Sequence, residues 1–199
     1  VETTLRLKPD SANAHISLAK ILEAQGRLNK AIAEYQTALR LKPDSVDARN
    51  AIYRISKAYV SQGQPDKAIT EFQTVLRLRS DDATAHIDLG KAYATQGRLD
   101  RAITELQAAL RLKPDSAVAH IGLGNIYTAQ RQLDRAITEF QAALRLKPDS
   151  AIAHLGLGKV YAAQGQLDKA IAEFQTALRL KPDFTEARKR LNNINSERS

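Results

Sequence analysis

At 199 residues, 43 % apolar and 26 % charged, the chain is long enough for one large domain or two small ones and has an ordinary globular composition. It contains no cysteine, which excludes disulfides, thiolate metal sites and cysteine nucleophiles, and no apolar run approaches the length that spans a bilayer. The net charge of +8 is not by itself a sign of nucleic acid. Twelve of the 30 basic residues are the pairs Arg6/Lys8, Arg40/Lys42, Arg77/Arg79, Arg111/Lys113, Arg145/Lys147 and Arg179/Lys181. Each pair stands just before the Pro-Asp or Ser-Asp that ends a helix, where cations complement the helix dipole. An evolved anion-binding face is the alternative reading.

The chain is periodic. Pro114, Pro148 and Pro182 recur every 34 residues, as do Pro9 and Pro43, which marks one supersecondary unit stacked on copies of itself. Residues 1–10 match 35–44 and are expected to be the second-helix tail of a truncated repeat, so that the chain starts inside a longer protein. Full copies are expected over 11–44, 45–81, 82–115, 116–149 and 150–183, with a capping helix over 184–199. Each copy divides at Gly26, Gly63, Gly97, Arg131 or Gly165. A glycine there suits a left-handed residue closing the first helix, so Arg131 is expected to strain or reshape its turn.

Both halves of each copy have helical spacing. Ala153, Leu157, Val160 and Tyr161 follow one face of a helix, and Leu167, Ala170, Ile171, Phe174, Ala177 and Leu178 follow a second. Asp66, Asp100, Asp134 and Asp168 fall at the starts of second helices, where an acid is favoured. Lys30/Glu34, Lys67/Glu71, Arg101/Glu105, Arg135/Glu139 and Lys169/Glu173 are spaced for surface pairs worth about 0.2–0.5 kcal/mol each. The copy at 45–81 carries three extra residues between Val46 and Ile55, nearly one helical turn, and predicts a longer first helix. In the tail, Ala187, Leu191 and Ile194 keep the inward spacing while Arg188, Lys189 and Asn195 make the outer face polar, as a terminal cap requires. Val1, Leu5 and Leu7 have no such cover and are expected to form an uncapped edge open to homo-oligomerisation.

These residues resemble the tetratricopeptide repeat, a 34-residue helix–turn–helix with Leu-Gly-x-x-Tyr, then Ala-x-x-x-Phe, then Pro. The last copy reads Leu157-Gly158-x-x-Tyr161, Ala170-x-x-x-Phe174 and Pro182, and the one before it Leu123-Gly124, Tyr127, Ala136, Phe140 and Pro148. The family's usual tryptophan is replaced by His15, His86, His120 and His154, and by Ile52 in the second copy. The resemblance implies an all-α, right-handed α-solenoid (superhelix) of antiparallel helix pairs whose first helices line a concave groove.

Catalysis needs an asymmetric constellation, and this chain repeats itself. The four histidines share one slot, which suits packing; a metal-binding or proton-linked ladder is the sharper alternative. No phosphate loop, HExxH or calcium loop is present, so neither an enzyme nor a cofactor is expected.

A binding surface remains. Two first-helix slots lie off the inward stripe: an apolar track of Ile16, Tyr53, Ile87, Ile121 and Leu155, and a track of Lys20, Lys57, Lys91, Asn125 and Lys159. Exposed, they would bind a protein or peptide with apolar anchors and acidic flanks; covered, the apolar track would pack on the neighbouring first helix. Along the chain Asn13, Asn50 and Thr84 give way to Val118 and Ile152, and Ser17, Arg54 and Asp88 to Gly122 and Gly156. Helical glycines cost roughly 1 kcal/mol each, so Gly122 and Gly156 are expected to admit a partner's backbone. The two-carboxylate clamp of some family members needs lysine where this chain has Ile16, Ile87, Ile121 and Leu155, and is absent. The reading is a non-catalytic protein-interaction scaffold binding a peptide or protein in its groove. An accessory domain of a larger enzyme such as a glycosyltransferase, and a self-associating solenoid, are the alternatives. RNA is disfavoured by the regular acids and few aromatics.

Overall fold

The computed structural model describes residues 10–198. The expected helix tail at 1–10, with Val1, Leu5 and Leu7, lies outside the described residues except for Asp10. The chain forms two compact units that meet in sequence between Arg98 and Leu99. The first holds α1 (Ala12–Ala24), α2 (Leu28–Leu41), α3 (Val46–Ser61), α4 (Pro65–Leu78) and α5 (Ala83–Thr95). The second holds α6 (Leu99–Leu112), α7 (Ala117–Ala129), α8 (Leu133–Leu146), α9 (Ala151–Ala163), α10 (Leu167–Leu180) and α11 (Thr185–Arg198). No strand occurs among the described residues.

Local chemistry explains the helix ends. Ser11, Ser45, Asp82, Ser116 and Ser150 each accept the backbone N–H three residues on, at 3.0–3.5 Å, so every first helix starts on a side-chain cap. The helices α1, α3, α5, α7 and α9 each end in a Schellman turn. In the first, Gly26 N–H donates to Glu23 and Arg27 N–H to Leu22, both at 2.9 Å. That turn needs a left-handed residue, and Gly26, Gly63, Gly97 and Gly165 have φ of +72 to +73°. Arg131 adopts the same conformation with φ +61°, and its turn closes through Thr128 and Tyr127 like the others. A non-glycine residue therefore sits in a region that L side chains rarely enter, without reshaping the loop.

Helix α3 has 16 residues where α1, α5, α7 and α9 each have 13. The insertion lengthens this helix by about one turn.

In the first unit α1 packs on α2 and α3 on α4, while α2–α3 and α4–α5 contacts continue the stack. In the second, α7 pairs with α8 and α9 with α10, α8 packs on α9, and α6 and α11 cover the two ends. Alanines with no exposed surface, among them Ala31, Ala38, Ala68, Ala136 and Ala170, let the backbones approach. Tyr35, Phe72, Leu106, Phe140 and Phe174 fill the space between them. Helix α11 buries Ala187 and Ile194 with Phe174 and Leu155, and leaves Arg188 and Lys189 in solvent.

Candidate functional site

Three of the four histidines bond to acids of the paired second helix. His15, His120 and His154 each place Nδ1 2.6 Å from a carboxylate on the paired second helix, those of Glu34, Glu139 and Glu173. The i, i+4 surface pairs expected for these acids give way to this arrangement. Two of the matching cations cover first-helix rings instead: Arg135 stands 5.4 Å above Tyr127 and Lys169 5.4 Å above Tyr161, and Lys67 in the second copy likewise stands 5.3 Å above Tyr59. No group of three or more metal-ligating side chains occurs among the described residues.

Ile52 breaks this pattern. It stands where the other copies have histidine and is fully buried, which leaves the equivalent acid, Glu71, without an imidazole. Gln36 donates to Glu71 from the preceding second helix. Burial nevertheless raises the Glu71 carboxyl above the usual carboxylate range, with the Gln36 hydrogen bond opposing it. A raised folded-state value means that this group's contribution to stability is present at low pH and lost as pH rises through the folded value. Glu71→Gln keeps an acceptor for Gln36 and removes the buried charge. It should stabilise the fold by at most about 1 kcal/mol at neutral pH and make no difference near pH 4. Urea unfolding at the two pH values checks both halves of that expectation.

The apolar track is largely covered. Ile16, Tyr53, Ile87 and Leu155 are buried and Ile121 is half-buried. The picture of an exposed apolar stripe is therefore corrected: neighbouring elements close over this slot. Tyr53 packs against Phe72 at a centroid distance of 6.0 Å. Its hydroxyl faces Asp82 without closing a hydrogen bond, and burial first, then Asp82, holds it well above the ordinary phenol range.

The two glycines are corrected as well. A Cβ at Gly122 would stand 3.0 Å from Leu106 Cδ1, and one at Gly156 would overlap the Phe140 ring. Gly124 and Gly158 lie similarly against Phe140 and Phe174, with clearances of 2.9 and 2.6 Å. The close approach that these residues permit is internal, from large second-helix side chains, rather than from a partner's backbone.

The lysine track is exposed but partly neutralised. Lys57 lies 2.8 Å and Lys91 3.5 Å from the carboxylate of Asp88, which is only 5 % exposed. Lys159 pairs with Glu186 at 3.0 Å. Lys20 is exposed beside a shallow cleft of about 330 Å3 with Glu23, Tyr35 and Arg54. There Arg54 Nη2 donates to Glu23 at 2.9 Å and a second guanidinium nitrogen donates to its other oxygen, while the Tyr35 hydroxyl donates at 3.1 Å. The Arg54 hydrogen bond is the main reason that Glu23 sits below the usual carboxylate range. Burial, then the bond to Glu23, pushes Tyr35 up to about 12. Acids at positions 23 and 88 thus tie successive first helices of the first unit together. Sequence reasoning placed Asp88 in its slot but could not see that two lysines turn toward it.

The second unit has a different surface. A cleft of about 590 Å3 opens between α7, α9 and the start of α11. Phe140, Leu155, Gly156 and Phe184 line its apolar side, and Asn125, Thr128, Lys159 and Glu186 its polar side. Ile152 borders it and is 57 % exposed; Val118, in the same slot on α7, is 49 % exposed. Of the expected site residues, the cleft brings together Asn125, Leu155, Gly156 and Lys159.

Stacked, Schellman-closed helix pairs with small residues at their crossings define a helical repeat protein. The chain belongs to the tetratricopeptide repeat family: one model of that repeat matches residues 53–117 and 121–183, and two others match 10–81 and 95–143. No curated protein sequence matches it. Among solved structures it is similar to MamA, at 27 % identity over 82 % of this chain and 94 % of that one, with a TM-score of 0.66. It is also similar to YrrB, a TPR protein described as having an unusual peptide-binding site, at 24 % identity over 94 % of each chain, TM-score 0.69. A thermophilic TPR protein of Thermus thermophilus matches at 24 % identity over 92 % of this chain and 98 % of that one, TM-score 0.67. At 24 % identity the last two show a common fold and nothing more.

Proposed function

We propose that this chain is a non-catalytic protein-interaction scaffold, built of repeats at 11–44, 45–81, 82–115, 116–149 and 150–183 and a capping helix at 184–199, that binds a peptide segment at the second-unit cleft. The observation that carries this reading is the apolar cleft bordered by Ile152, with Val118 exposed one repeat earlier. Large exposed apolar side chains beside a concave, partly apolar cavity are what a peptide's anchor residues need. The binding residues then move from the covered track to Val118 and Ile152, with Asn125, Leu155, Gly156 and Lys159 supplying the walls. YrrB, which shares the fold, is itself described as a peptide binder. No described helix is long and apolar enough to cross a membrane.

Selection of a displayed peptide library on the purified chain tests the reading, with a Val118→Ser/Ile152→Ser variant run in parallel. Sequences with bulky apolar residues should be enriched on the parent chain and lost on the variant, whose thermal unfolding should be unchanged because both side chains are exposed. Equal enrichment on the two proteins, or none on either, overturns it.

A further inference from the structure

One first-helix slot changes chemistry along the second unit. It holds Val118 on α7, Ile152 on α9 and, at the same offset from the buried alanine that follows it, Glu186 on α11. The run of apolar side chains therefore ends in a carboxylate. That carboxylate reaches back to Lys159, 3.0 Å away, at the edge of the cleft. Glu186 is the only acid and Lys159 the only base among the cleft's described lining residues. Arg190 stands 3.9 Å from the same oxygen of Glu186, so two cations face the one carboxylate at the edge of the cleft.

We propose that this cleft takes an acidic polypeptide segment carrying a bulky apolar side chain, and that Glu186 holds the place of the segment's carboxylate on Lys159 until the segment arrives. The inference rests on the peptide-binding reading above and adds the partner's chemistry and its internal competitor. The side chains of Lys159 and Glu186 are 35 % and 46 % exposed, so their pair is weak and easily exchanged. Arg190 keeps Glu186 compensated once Lys159 is engaged elsewhere, so the exchange strands no charge. A basic segment would meet two cations for one acid and is selected against. The apolar anchor enters beside Ile152 and rests on Phe184, the half-buried ring among the cleft's lining residues.

The test uses three fluorescein-labelled twelve-residue peptides at low salt: one of leucine and glutamate, one with glutamine for glutamate, and one with serine for leucine. Fluorescence anisotropy should show the leucine–glutamate peptide bound most tightly by the parent chain. Glu186→Gln should tighten that peptide by about threefold to fivefold and leave the glutamine version unchanged, and Lys159→Gln should erase the preference between them. Glu186→Gln shifting neither peptide, or both alike, overturns the inference while the scaffold reading stands on their binding. If neither leucine peptide binds, the reading of this cleft fails as well. Glu186 is exposed, so circular dichroism of the variant should match the parent.

Discussion

Gly156→Ala should destabilise the second unit by about 1–2 kcal/mol, even though alanine is the better helix former. Helix propensity alone favours the change by about 1 kcal/mol. Against it stands the Phe140 ring, which a Cβ at position 156 would overlap. The ring has no exposed surface, and a Cβ on its other neighbour, Gly124, would lie 2.9 Å away. With glycines of α7 and α9 on two sides, it has little room to retreat, and overpacking of this kind costs about 1–3 kcal/mol or more. Gly156→Leu should unfold the unit, which makes it a poor probe of binding. The check is a double-mutant cycle by urea unfolding with Phe140→Leu. The alanine substitution should cost much less once the smaller side chain is in place. A neutral or stabilising Gly156→Ala in the parent background would show that the ring moves freely.

Removing both lysines around Asp88 should cost about 2 kcal/mol, whereas removing either should cost well under half of that. Asp88 is nearly buried, and its carboxylate is compensated by Lys57 from α3 and by Lys91 on its own helix. One remaining ammonium still offsets the charge; with neither, a desolvated carboxylate is stranded, the costly case for a buried ion. The half-exposed lysines temper the figure, because water reaches their side of the cluster. Urea unfolding of Lys57→Gln, Lys91→Gln, the double variant and the double variant with Asp88→Asn measures this. The last should recover most of the loss. Strict additivity of the two single changes would mean that Asp88 is solvated after all. For the same reason, reversing the charge of the lysine track is no clean test of partner binding: it would damage the first unit before any partner met it.

Much of the local architecture was legible in the sequence because it depends on short-range chemistry. The 34-residue period, the two amphipathic stretches per copy and the left-handed residue between them are all written within a few residues of where they act. Arg131 could be singled out because the other copies place glycine in its slot, and the structure gives it the same positive φ. The extra turn of α3 follows from three added residues. The His–Glu ties could have been found by noticing that the two residues are 19 apart in four copies and that Ile52 removes one member of the fifth.

The candidate surface was less legible. Helical spacing says which side chains share a stripe, but not how much of that stripe the next repeat covers. That depends on the separation and rotation of successive helix pairs, which large residues such as Phe140 and small ones such as Gly156 settle together. Ile16 and Leu155 are therefore buried while Val118 and Ile152, one turn or less away on equivalent helices, stand in solvent. The sequence by itself determined the repeat, its caps and its turns, since hydrogen-bond geometry and backbone preference act locally. Only the tertiary structure decided which apolar side chains remain open, what the glycines accommodate and where each lysine's charge is spent, because those outcomes depend on side chains brought together from separate helices.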